Sequence, residues 1–128
     1  MMLYALLIYE AEAVSTGYSD ADLENALAGH RALQEEAKRR RVFVEANQLM
    51  APGTAASVRV RAGKARITDG PFAETKELLI GYYLLDCRDL DEALEFASKI
   101  PHAQTGGVEV RPVTYFERNT SDETVWTS

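Results

Sequence analysis

Leu78-Leu79-Ile80-Gly81-Tyr82-Tyr83-Leu84-Leu85-Asp86-Cys87 is the stretch on which the fold turns. It is almost wholly apolar and too short for a buried helix of ordinary length, so it reads as a strand. Alternation places Ile80, Tyr82 and Leu84 on one face and Leu79, Tyr83 and Leu85 on the other. Both faces are apolar, and both need cover. Leu3-Tyr4-Ala5-Leu6-Leu7-Ile8-Tyr9 has the same character, so it reads as a first strand covered on both faces.

Working outward, Ser19 is a helix N-cap with Asp20 and Asp22 in the first turn, and a helix runs from about Asp20 to Arg41, where Lys38-Arg39-Arg40-Arg41 suits the carbonyl end. At 100° per residue Leu23, Ala26, Leu27, His30, Leu33 and Ala37 form one stripe, with His30 near its centre and facing the sheet. Arg41–Ala46 reads as a strand ended by Ala51-Pro52-Gly53. Ala56–Arg61 reads as another, with Val58 and Val60 opposite Arg59 and Arg61, and Ala65–Thr68 as the returning arm of a hairpin across Ala62-Gly63-Lys64. Asp89-Leu90-Asp91-Glu92 opens a second helix whose apolar stripe is Leu90, Ala93, Leu94, Ala97 and Ile100, stopped by Pro101. Val108–Val113 alternates as a last strand, and Tyr115–Ser128 carries no clear periodicity.

The order is β-α-β-β-α-β with an extra hairpin, an α+β, ferredoxin-like pattern. Its two helices can cover one sheet face. Exposing several Leu, Ile and Tyr side chains on the other would forgo about 1.5–3 kcal/mol each, so a face-to-face homodimer, a dimeric α/β barrel, is expected. The length of 128 residues fits one domain, with the core ending near residue 113 and residues 114–128 as a C-terminal tail.

A net charge of −6 disfavours a phosphate backbone, so no nucleic-acid partner is expected. Met1–Ile8 is too short to span a membrane and has no basic leader, so a cytoplasmic, membrane-free setting is expected. The lone cysteine, Cys87, closes an apolar strand and reads as a small core residue. Two histidines far apart in sequence and no Cys-x-x-Cys give no metal signature, and no glycine-rich loop or nucleophile elbow appears, so neither metal nor cofactor is expected.

The chemistry concentrates around Asp69-Gly70-Pro71-Phe72-Ala73-Glu74-Thr75-Lys76-Glu77, a charged turn before the central strand. Gly70 and Pro71 explain the turn by themselves. A histidine on a buried stripe needs a partner, and Asp69 is the leading candidate: a carboxylate on one imidazole nitrogen leaves the other as a base. From the residues alone, structural anchoring of the turn to the helix is the favoured reading of the pair. Glu74, Lys76 and Tyr82 are candidate ligand contacts if they converge with His30; otherwise they are a solvated rim and an interface tyrosine.

The same motif, with Leu6-Leu7-Ile8-Tyr9, His30, Gly81-Tyr82-Tyr83, Asp89-Leu90-Asp91-Glu92-Ala93 and Val108-Glu109-Val110-Arg111-Pro112-Val113, resembles the YCII-related family and within it the DGPF branch, over residues 1–113. The resemblance implies a dimeric α+β barrel with a histidine, matched by His30, close to an aspartate, matched by Asp69, as a proposed active site. The resemblance extends to one relative of the broader family that resembles a dehydrochlorinase of chlorinated aromatics, and implies a fold shared with muconolactone isomerases. Many DGPF proteins accompany extracytoplasmic-function sigma factors. Two functions follow as expectations: a cofactor-free lyase or isomerase acting on a small molecule through His30 and Asp69, or a regulatory, ligand-sensing module linked to such a sigma factor.

Overall fold

A computed structural model of the chain describes residues 2–72, 76–119 and 125–127. The elements run β1 (Met2–Ala11), α1 (Glu12–Ser15), α2 (Asp20–Arg39), β2 (Phe43–Gln48), a 3-10 turn (Pro52–Thr54), β3 (Ala56–Arg61), β4 (Lys64–Asp69), β5 (Glu77–Cys87), α3 (Leu90–Ser98), α4 (His102–Thr105), β6 (Gly107–Pro112), β7 (Tyr115–Glu117) and β8 (Val125–Thr127). Four strands form one antiparallel sheet in the order β2-β5-β1-β6. The two strands read as apolar on both faces are its central pair. This is the ferredoxin-like α+β arrangement. β3 and β4 pair only with each other, as do β7 and β8, so the extra hairpin stands apart from the main sheet and the tail contains strand that its sequence did not announce.

On the helix side of the sheet, Tyr4, Leu6, Ile8, Tyr83, Leu85 and Cys87 meet Leu33 and Ala37 of α2 and Ala93, Phe96, Ala97 and Ile100 from the α3 segment. Burial of each large side chain contributes about 1.5–3 kcal/mol. Cys87 is fully buried and its thiol is pushed up to about 12, chiefly by desolvation, as suits an inert core residue. None of the described helices is long and apolar enough to cross a membrane.

The caps form as their residues dictate. Ser19 and Asp22 make a reciprocal capping box, and Asp89 accepts from the Glu92 amide at 2.9 Å. Glu92, however, turns its carboxylate back to the Arg88 amide and to Arg40. Arg40 bonds Glu36, Glu92 and Glu95, and Lys99 bonds Glu36 and Glu95, so the basic end of α2 is clamped to α3 as well as aligned with its own dipole.

Three expectations need correction. The α2 stripe is buried only in its second half: Leu33 and Ala37 reach the core, while Leu23 and Leu27 are about half exposed. Likewise Leu90 and Leu94 are exposed on α3, where Phe96 takes the central core position. Finally, a bulge at Ile80 breaks the alternation of β5. Gly81 pairs with Ile8 and Leu79 with Tyr9, leaving Ile80 as the extra residue. Paired residues share a face, so Leu79 lies on the open side with Tyr9 and Tyr82, while Ile80 packs toward the core.

Candidate functional site

Four rings line up on the helix side of the sheet. Tyr18 stacks on His102 at 6.0 Å between centroids, His102 lies 5.0 Å from His30, and His30 lies 5.9 Å from Tyr83. Each comes from a different element: the loop before α2, the start of α4, the middle of α2 and the centre of β5. Hydrogen bonds run along the row. His30 Nδ1 is 2.7 Å from the Tyr83 hydroxyl, and His30 Nε2 is 2.9 Å from His102 Nδ1.

Gln34, one turn beyond His30, donates its amide to the Tyr83 oxygen at 3.1 Å. The Tyr83 oxygen keeps a second acceptor site, so two neutral arrangements satisfy the row: Tyr83 donates to His30 Nδ1 and His30 Nε2–H to His102 Nδ1, or His102 Nδ1–H donates to His30 Nε2 and His30 Nδ1–H to the Tyr83 oxygen. Burial favours the neutral form of His30. It lowers the His30 pKa from 6.5 to about 4, with His102 as the second cause, and desolvation also raises the pKa of Tyr83.

A carboxylate closes the other end. Glu10, 1% exposed at the end of β1, accepts from Ser15 at 2.6 Å and also from Tyr18 and Thr105. Burial acts to raise its pKa, but the three hydroxyl donors and the nearby His102 outweigh it and hold the carboxyl below its ordinary range. Backbone packing sets these distances. A Cβ on Gly106, just after Thr105, would stand 2.0 Å from the Tyr9 carbonyl oxygen, so only glycine lets α4 close on β1. The arrangement joins the two imidazoles by one hydrogen bond and fixes the orientation of the His102 ring.

The residues expected to form a site do not come together. His30 is half-buried where expected, but Tyr83 and His102 occupy its nitrogens, and Asp69 is bonded to neither. Asp69 is exposed at the end of β4, opposite Ala56. Tyr82 is on the open sheet face, where its hydroxyl donates to Glu45 at 2.9 Å and accepts from Asn47 at 2.8 Å. Lys76 lines a shallow concavity of about 520 Å³ with Tyr9 and Glu109. The sheet itself therefore separates Tyr82 and Tyr9 from His30. Glu74 lies outside the described residues.

A second concavity, of about 450 Å³, is lined by apolar groups including Met50, Pro71, Phe72 and Leu79 and does not include either histidine. Among the described residues no cluster of three or more His, Cys, Asp or Glu could hold a metal ion. Sequence reasoning missed His102, Tyr83, Gln34, Glu10 and Tyr18 as one network. Gln34 was detectable as the i+4 neighbour of His30, and Glu10 as an acid sharing strand parity with Leu6 and Ile8. Nothing local marked His102.

Fold and network together define an α+β protein with a half-buried, hydrogen-bonded histidine pair on the helix side of a ferredoxin-like sheet. A family model for the YCII-related domain matches residues 2–117. The uncharacterized protein R00369 of Rhizobium meliloti (strain 1021) is 43% identical over 124 residues, covering 91% of this chain and 95% of that protein. The chain belongs to the YCII-related family.

Proposed function

We propose that this chain binds a small organic molecule and transfers a proton on it without a cofactor, as an isomerase or lyase would, with His102 facing the ligand and His30 as its positioning partner. The supporting observation is the 2.9 Å contact between His30 Nε2 and His102 Nδ1, backed by Tyr83 and Gln34. A ring held neutral to about pH 4 cannot itself store a proton at neutral pH. It can fix the tautomer of the next ring: with His102 Nδ1–H donating to His30 Nε2, His102 Nε2 keeps a lone pair that takes a proton from a substrate carbon, and the imidazolium so formed returns it to another carbon or to a leaving group.

The assembly proposed for this work is a homodimer stacked through the open sheet face. Leu7, Tyr9, Leu79, Tyr82 and Leu84 leave that face only partly covered in one chain, and a two-fold partner would bury it. A thermal-shift screen of the wild type, His30→Gln and His102→Gln against small carbonyl compounds and chlorinated aromatics tests the site. A ligand at 100 times its Kd stabilises by about 2.7 kcal/mol. The expected ligand protects the wild type, loses this protection in His102→Gln, and exchanges a proton with solvent deuterium only in the wild type. Ligands that protect all three proteins equally would refute the site, and a ligand bound without exchange would make the chain a sensor.

A further inference from the structure

The cavity beside the connection from β2 to β3 is built like a small-ligand pocket, yet the histidine row makes no use of it. Its volume is about 450 Å³, and Met50, Pro52, Pro71, Phe72 and Leu79 give it an apolar lining in which Thr54 and Ser57 are the hydroxyl groups. Both hydroxyl protons are engaged inside the chain. Thr54 Oγ1 donates to the Ala51 carbonyl at 2.7 Å and Ser57 Oγ to the Gly70 carbonyl at 2.6 Å. Met50 and Phe72 remain 79% and 59% exposed, so an apolar body laid against them removes hydrocarbon surface from water.

Polar recognition comes from β3. Ser57, Arg59 and Arg61 alternate onto one face of that strand, and their partners Thr68, Arg66 and Lys64 share it. The face that borders the cavity at Ser57 therefore turns cationic two residues further on, about 7 Å along the strand. Arg59 marks the junction, because its guanidinium lies 4.5 Å above the ring of Phe72, a wall residue of the cavity. Val58, Val60 and Ile67, with the acid Asp69, lie on the opposite face.

This grouping runs against the composition. Acids outnumber cations twenty to fourteen, and Arg40, Arg88 and Lys99 all have acidic partners. Arg59 instead stands directly opposite Arg66, and among the described residues no ion pair reaches either one. Like charges directly opposite across two strands are destabilising, and a bound anion removes that repulsion. We propose that the cavity and the Arg59–Arg66 pair form one binding site for a small apolar carboxylate, its hydrocarbon body against Met50, Phe72 and Leu79 and its carboxylate on the guanidiniums. The planar guanidinium fork matches a carboxylate. The net charge of −6 opposes multiply charged ligands and favours a monoanion among anions. Neither histidine lines the cavity, so the site goes beyond the proton-transfer reading and does not depend on it.

Benzoate, naphthoate and decanoate, each beside its uncharged primary amide, are titrated into ¹⁵N-labelled protein and followed by NMR. The samples are the wild type, an Arg59→Gln, Arg66→Gln double variant, Met50→Asp and His102→Gln. Arg59, Arg66 and Met50 are exposed, so their substitution spares the core, and the spectra themselves report folding. At least one acid should shift the amides of Thr54, Ser57, Phe72 and Leu79 in the wild type with a Kd below about 1 mM. Its primary amide should bind the wild type about tenfold more weakly, the acid should bind the double variant and Met50→Asp about tenfold more weakly, and His102→Gln should bind the acid as the wild type does. An amide that binds as tightly as its acid, or a double variant that keeps the affinity, overturns the site. Shifts confined to the surroundings of His30 and His102, and lost in His102→Gln, also overturn it while supporting a ligand at the histidine row. Binding of none of the three acids overturns it as well, including when the protein binds anionic vesicles.

Discussion

Gly29 of α2 lies so close to Pro101, just before α4, that a Cβ at position 29 would sit 2.6 Å from the proline Cγ. Each is followed directly by one of the paired histidines, His30 and His102. The close approach of glycine to proline therefore sets the spacing of the imidazoles. Gly29→Ala tests this. Alanine favours the helix by about 1 kcal/mol, but overpacking against a rigid ring costs about 1–3 kcal/mol, and at 2.6 Å the steric cost wins. The variant should unfold at lower urea concentration than the wild type, and the His30 titration, followed by NMR, should move up toward 6.5 as the rings part. A higher urea midpoint would show that the contact is not a constraint.

Acid stability follows from the neutral state of His30. Its folded pKa of about 4 lies below the ordinary 6.5, so the unfolded chain binds the proton more readily between these values. The contribution is complete above pH 6.5 and is lost as pH falls toward 4. The span corresponds to at most about 3 kcal/mol, and less to the extent that water reaches the half-buried ring. Urea unfolding of the wild type should weaken steadily through this window, with His30→Gln nearly flat. Parallel curves for the two proteins would contradict the assignment.

Glu10 contributes a separate limb at lower pH. Its folded pKa is depressed despite burial because Ser15, Thr105 and Tyr18 donate to it and His102 lies near. Stability from a depressed carboxyl is present above the unfolded value and is lost as pH falls through the folded one. Glu10→Gln removes the charge while keeping the shape, and hydrogen bonds to charged groups are worth about 1.5–3 kcal/mol. The variant should be weaker than the wild type by about that amount at pH 7, with the gap closing as the pH falls below the ordinary carboxylate range. A gap unchanged with pH would mean that shape, not charge, holds the cluster together.

The strand and helix pattern was legible because burial imposes a period on side chains. Leu3–Tyr9 and Leu78–Cys87 announced strands apolar on both faces, which the fold pairs at the centre of the sheet, and Ser19 and Asp89 announced where helices begin. The bulge at Ile80 left no such mark, since one extra residue in an already apolar run changes faces without changing composition. The site was half legible. His30 turned inward as its stripe required, but its partner was sought among acids near the charged turn. His102 reaches it only through the meeting of Gly29 with Pro101, a tertiary contact with no local signature. Asp69 read as a partner because it precedes the central strand, yet the hairpin that carries it pairs apart from the main sheet.

Strain at the tip of that hairpin offers a substitution that should improve the chain. Ala62 and Gly63 turn the corner with φ of 52° and 74°. Glycine takes such angles freely, whereas an ordinary L-residue in the left-handed region costs about 1–2 kcal/mol. Two-residue hairpin turns with both central φ positive favour Asn-Gly most strongly, because the asparagine side chain tolerates that region. Ala62→Asn should therefore relieve about 0.5–1 kcal/mol of local strain. The hairpin pairs only with itself, so the gain belongs to local opening more than to global unfolding. Amide exchange at Arg59, Arg61, Lys64 and Arg66, the hydrogen-bonded pairs of the hairpin, should slow about two- to fivefold, while that of Leu6 and Leu85 stays unchanged. Faster exchange at the hairpin amides in Ala62→Asn would show that the turn is not where the strain is stored.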